Sequence, residues 1–194
     1  MMFPLRTSPT SSVSTNEAPM KRSEHAISQE KETALTLRLV DDLLKKGFNA
    51  SNTVIVSVST DYSSKVGQIL RHALSHDGEI CDGFGVDVPY PDESWNESYR
   101  IELHTLFSLY KYKLDGKSVL FVEAGVIRGS NYTYIVDFLR GEMGITNPFF
   151  FLALFENESS VFKSGFVGEY YDNETQDLTF WWEEENIHWP AAPC

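Results

Sequence analysis

Lys117-Ser118-Val119-Leu120-Phe121-Val122-Glu123-Ala124-Gly125-Val126-Ile127-Arg128-Gly129-Ser130-Asn131 decides how this chain is read. A polar lead at Lys117 and Ser118 passes into the apolar run Val119 to Val122, which stops on an acid. That pattern predicts a strand covered on both faces, with Glu123 at its carboxyl end. Gly125 and Gly129 predict a loop from 125 to 131. Ile135, Val136, Phe138 and Leu139 then mark the apolar face of a helix. Strand, glycine-containing turn and helix make half of a βαβ unit.

Working outward, the same alternation recurs. Leu35, Leu39, Val40, Leu43 and Leu44 have helical spacing, with Gly47 as the stop. Thr53 to Val58 predicts a buried strand, the polar residues 60–64 a turn, and Val66, Ile69, Leu70, Ala73 and Leu74 a helix. Residues 79–88 predict a strand around Cys81-Asp82-Gly83-Phe84-Gly85, residues 89–98 an acidic loop, and residues 99–112 a helical or mixed segment. Pro148 to Phe155 predicts another buried strand, and Phe180-Trp181-Trp182 a short edge strand. Strands and helices alternating at this length imply an α/β fold, a mostly parallel sheet with helices on both faces. Residues 1–30, rich in Ser, Thr and Pro with no apolar period, are expected to be a disordered tail, leaving 31–194 as a single domain.

Composition limits what such a domain can do. The 194 residues are 42% apolar and 13% aromatic, enough for a sizeable core. Sixteen basic against 28 acidic residues give a net charge of −12, which disfavours a nucleic-acid surface because each phosphate contact needs a local cation. A small anion held by main-chain amides is still allowed. Cys81 and Cys194 make neither a zinc motif nor a disulfide framework. No run of about 18 apolar residues predicts a membrane span. A cytoplasmic location is expected, with an organellar leader in residues 1–16 as the minor alternative. Five Asn-x-Ser/Thr triplets, at Asn49, Asn96, Asn131, Asn157 and Asn173, are read as turn chemistry. His72 and His76 stand at metal-chelating spacing on a predicted helix, but the glutamate of a zinc motif is missing, so no metal site is expected.

In a parallel sheet, ligands sit beyond the carboxyl ends of the strands. There, the amides of Gly129, Ser130 and Asn131 would face a phosphate at a helix N-terminus, Arg128 would add a charged contact, and Glu123 would accept from sugar hydroxyls. The competing reading is that the glycines make a tight turn and Ser130 or Asn131 caps the helix.

The segment from Gly116 to Asn131 resembles the phosphoribosyl-diphosphate loop of the type I phosphoribosyltransferases, in which an apolar strand, two acids, a variable pair and a Thr-Thr-Gly-x-Thr-like cradle precede a helix. Thr53 to Val58 and the following turn resemble that family's first core strand and pyrophosphate loop. Phe166-Val167-Gly168-Glu169-Tyr170 resembles the late loop where a hood closes over the base, and Trp181-Trp182-Glu183 the aromatic-acidic end of purine-type members. The resemblance covers roughly residues 50–189. It implies a catalytic role for Glu123 and a phosphate site at Arg128, Gly129, Ser130 and Asn131. It further implies a pyrophosphate loop at Ser63, Ser64 and Lys65, base stacking on Tyr170 or Trp182, and Mg²⁺ if the protein is active as a transferase. The chain departs from the pattern where Ala124 replaces the second acid, where Ile127, Arg128 and Asn131 replace the cradle threonines, and where Asp61 sits in the pyrophosphate turn.

Three functions follow: a transferase of purine metabolism moving a phosphoribosyl group to or from a nucleobase, an inactive nucleotide-binding regulatory module, or an acidic interaction protein that mimics DNA. The expected partner is a small phosphosugar or nucleotide, with a homodimer allowed and no membrane partner.

Overall fold

In the computed structural model the described residues are 23–58, 63–76, 78–86 and 97–181. They form β1 (Ser23–Ile27), α1 (Gln29–Lys45), β2 (Thr53–Val58), α2 (Ser63–Leu74), β3 (Asp82–Val86), α3 (Glu97–Leu114), β4 (Ser118–Val126), α4 (Ser130–Gly141), β5 (Phe149–Asn157), β6 (Phe166–Tyr171) and β7 (Gln176–Phe180). Five parallel strands make the main sheet in the order β3-β2-β4-β5-β6. The expected α/β architecture is therefore present.

Its layers follow from burial. All six residues of β2 are buried, so the strand carries a nearly unbroken β-branched run rather than an alternating one. Leu39, Leu43, Val66 and Leu70 join Leu120, Val122 and Leu152 in one core, which places α1 and α2 on one face. Leu103, Phe107, Tyr132, Ile135 and Leu139 join Val119 and Phe121 in the other, which places α3 and α4 opposite. Helix α1 starts where Ser28 accepts a hydrogen bond from the Lys31 amide at 3.2 Å, with Glu30 and Glu32 in the first turn beside the positive helix end. It stops before Gly47, whose φ of +86° suits only glycine well.

Several boundaries differ from the sequence reading. Residues 23–30 are not tail: they form β1 and the start of α1, and β1 pairs in parallel with β7, from Ser23↔Gln176 to Ile27↔Phe180. These two strands make a small second sheet, the hood. Phe166 to Tyr170, expected in a hood loop, instead lies in the edge strand of the main sheet, paired with β5. Strand β4 runs on to Val126, so Gly125 belongs to the strand and only residues 127–129 bridge to α4. The acidic loop expected at 89–98 lies mostly outside the described residues.

The turn reading of the Asn triplets holds at Asn49, Asn157 and Asn173, whereas Asn131 lies in α4 and Asn96 outside the described residues. Asn49 Oδ1 accepts from the Ser51 and Asn52 amides at 3.0 and 3.2 Å. Asn157 Oδ1 accepts from the Ser159 amide at 3.2 Å, and its amide nitrogen lies 2.8 Å from Asn173 Oδ1.

Gly168 of β6 lies so close to β5 that a Cβ there would overlap the Leu154 carbonyl, which is backbone and has no rotamer with which to yield. Gly168→Ala is expected to lower stability by about 1–3 kcal/mol. Gly141→Ala, at the end of α4 with open space around it, is expected to raise stability by about 0.5–1 kcal/mol. Urea unfolding of both variants checks the pair.

Candidate functional site

The chain passes from β2 out to β3 on one side and later returns to β4 on the other, so the strand order reverses between β2 and β4. The crevice beyond the carboxyl ends of those strands is where an open parallel sheet accepts ligands. The bend at 127–129 lies there, joining β4 to α4.

Gly129 is the N-cap of α4, with φ 72° and ψ 10° in the left-handed region, and it supplies no side-chain cap hydrogen bond. Ser130 and Asn131 are the first two helical residues rather than the cap. The choice between capping and an open helix end thus falls against a capping side chain. Two contacts hold the bend from behind. Asn157 Nδ2 donates to the Ile127 carbonyl at 3.1 Å. A Cβ on Gly129 would stand 2.5 Å from Phe162 Cβ and 3.1 Å from Ser160 Oγ, so the α-carbon is packed against the segment after β5. Arg128 remains exposed beside it.

Glu123 points toward the α3–α4 face, where its carboxyl is hydrogen-bonded to the side chain of Tyr132. The residue keeps partial exposure, while the protein around the carboxyl pushes its pKa up to about 8, the Tyr132 hydrogen bond offsetting part of the burial. At neutral pH Glu123 mostly holds its proton, so it can both donate to and accept from a hydroxyl. An acid with a raised pKa is a recurring feature of functional sites. Ala124, in place of a second acid, is buried among the residues of the opposite face.

The other expected site residues are more dispersed. Ser63, Ser64 and Lys65 open α2 rather than sitting in a loop. Lys65 Nζ lies 4.5 Å from the centre of the Trp181 ring, just beyond β7, and the Trp181 indole donates to Glu32 Oε2 at 2.6 Å. Lys65 is thus tied to the hood. Tyr170 is half exposed on β6, with Lys163 Nζ 5.9 Å from its ring centre, and shares no contact with the bend in the form of a hydrogen bond or ring stack. Trp182 lies outside the described residues. Cys81 is wholly buried, and burial more than the Asp82 charge pushes its thiol up to about 11, which suits a packing role. His76 lies beyond the end of α2 in an isolated bridge with Glu79, so the helical pairing with His72 does not form. The described residues hold no group of three His, Cys, Asp or Glu able to hold a metal ion.

Three site residues escaped the sequence reading. Tyr132, fully buried in the first turn of α4, reads as ordinary core spacing. Glu156 is fully buried near the end of β5, paired in register with Val126; its position after an apolar run, like that of Glu123, was the available signal. Phe180 of the hood meets Gly125 of β4 and packs edge-on to Phe155 at 5.6 Å, a contact between distant segments that no local pattern reveals.

No protein-family model matches the chain, and no curated protein matches it in sequence. Among solved structures it is similar to a purine phosphoribosyltransferase from Pyrococcus horikoshii Ot3, with a TM-score of 0.60 and 13% identity over 88% of this chain and 98% of that one. It is also similar to the Helicobacter pylori xanthine-guanine-hypoxanthine phosphoribosyltransferase, with a TM-score of 0.57 and 14% identity over 85% and 98% of the two chains. With a parallel sheet ordered β3-β2-β4-β5-β6 and a hood built from β1 and β7, the chain has the phosphoribosyltransferase-like fold.

Proposed function

We propose that this protein binds a phosphorylated ribose or a nucleotide in the crevice between β2 and β4, and that it does so without phosphoribosyl transfer. The observation that carries the binding half is the left-handed Gly129 N-cap, without a capping side chain, at the carboxyl end of β4. A helix start of this kind favours a phosphate through its amides and its partial positive charge, and Arg128 stands beside it. The ribose hydroxyls meet Glu123 in this reading, whose carboxyl keeps acceptor capacity beyond its Tyr132 hydrogen bond.

The second half rests on what the site does not offer. Transfer passes through a cationic sugar, which a carboxylate pair would stabilise by charge. Here Ala124 removes one acid and burial keeps the other mostly neutral. Lys65, the cation expected beside a diphosphate, lies against Trp181. The alternative, a transferase acting on a nucleobase, draws its support from the names of the two solved neighbours.

Calorimetric titration with 5-phosphoribosyl diphosphate and with guanosine monophosphate, each with and without Mg²⁺, tests the assignment. Binding without release of diphosphate in the presence of a purine base is the expected result. Release would favour the transferase, and failure of every phosphate ligand to bind would remove both readings. Arg128→Ala is expected to weaken guanosine monophosphate about fivefold or more while leaving guanosine unaffected, because only the phosphate meets the guanidinium. Gly129 is unsuitable for this purpose, since any side chain there strikes Phe162 and takes a left-handed backbone.

A further inference from the structure

Helix α3 turns Leu103, Phe107 and Leu114 into the core, where all three are buried. An ordinary surface helix carries charge on the side opposite its apolar stripe. Here that side carries Ile101, Leu109 and Tyr112, which are 59, 65 and 73% exposed. Thr105 and Ser108, also exposed, lie between them. The positions 101, 105, 108 and 112 alternate steps of four and three residues, the spacing of a seam that meets another helix lengthwise, and Leu109 stands on its flank. The two small residues in the middle leave room for close approach. Thr105 donates its hydroxyl proton to the Ile101 carbonyl at 2.7 Å, so covering it strands no donor.

The symmetry of the face points to what covers it. Turned end for end, the seam matches itself. Ile101 then meets Tyr112 of a second copy and Thr105 meets its Ser108, whichever copy is counted first, as a two-fold axis requires. The charges at the helix ends agree with that direction. The helix opens on Glu97 and carries Lys111 in its last turn, and helical spacing places both positions on one flank of the seam. An antiparallel neighbour brings the acidic end to the basic end and sets each positive helix terminus beside a negative one, whereas a parallel neighbour would set like ends together. The seam runs at most the length of an 18-residue helix, about 27 Å. Two such faces cover less than the roughly 1,200–2,000 Å² of a lasting interface, so the pair forms reversibly and at high concentration.

We propose that the outer face of α3 docks antiparallel on the same face of a second copy of this chain, making a weak homodimer.

Sedimentation equilibrium of the full chain tests the pairing, run from about 5 to about 500 μM at about 0.15 M salt, where screening limits the repulsion between two copies of net charge −12. Wild type should pass from monomer toward dimer across that range. Leu109→Asp should weaken the dimer at least about tenfold, because it buries an unpaired charge. Ile101→Asp should do the same, and both positions are exposed in the single chain. Lys111→Glu should also weaken the dimer, and adding Glu97→Lys to that variant should restore it. A wild type that stays monomeric at every concentration overturns the proposal, and so does a dimer that Leu109→Asp, with an unchanged circular dichroism spectrum, leaves intact. A dimer lost in Leu109→Asp but indifferent to both the charge reversal and its compensation overturns the antiparallel arrangement.

Discussion

Strand β4 is hydrogen-bonded on both edges and covered on both faces, and the placement of the site depends on that confinement. Val119, Leu120, Phe121 and Val122 are all fully buried. At about 1.5–3 kcal/mol for each such side chain, these four supply roughly 6–12 kcal/mol, comparable to the whole net stability of a typical domain. A slip of one residue would exchange the two faces and drive Glu123 into a fully apolar position. The register of β4 against β2 and β5 therefore decides where the acid lies, where the bend begins and which way α4 departs.

Local pattern revealed the parts of the molecule whose causes are local. The run Val119 to Val122, the helical period from Ile135 to Leu139 and the β-branched stretch Thr53 to Val58 each contain their own explanation. The hood does not. Strand β1 reads Ser-Glu-His-Ala-Ile, too polar and too short to announce itself, and it is a strand because β7 pairs with it from far along the chain. Gly125 misled for a related reason. A glycine after a buried strand usually signals a turn, whereas here it continues β4 in register with Phe155, within van der Waals reach of Phe180 from the distant hood. The roles of Tyr132 and Glu156 depend on neighbours across three elements, which spacing along the chain cannot supply.

Helix α1 is tied to β6 and to the residue after β7 by contacts of different strength. Lys31 donates to Glu169 at 2.8 Å, yet both side chains are about one-third exposed, so the pair contributes at most about 1 kcal/mol. Glu32 is buried, and burial raises its pKa against the opposing effects of the Trp181 hydrogen bond and the Lys65 charge. Removing Trp181 would leave that carboxyl without its indole donor, the costlier of the two losses. The buried Glu32–Trp181 contact thus outweighs the visible ion pair.

Pairing β1 with β7 brings together segments at opposite ends of the described chain. The five strands of the larger sheet are all made before β7 leaves the ribosome, so the barrier to hood assembly comes from closing the longest loop in the molecule. Phe180 and Trp181 are consequently the last of the described residues to arrive during synthesis, and a nascent chain has its five-stranded scaffold before the second sheet can pair.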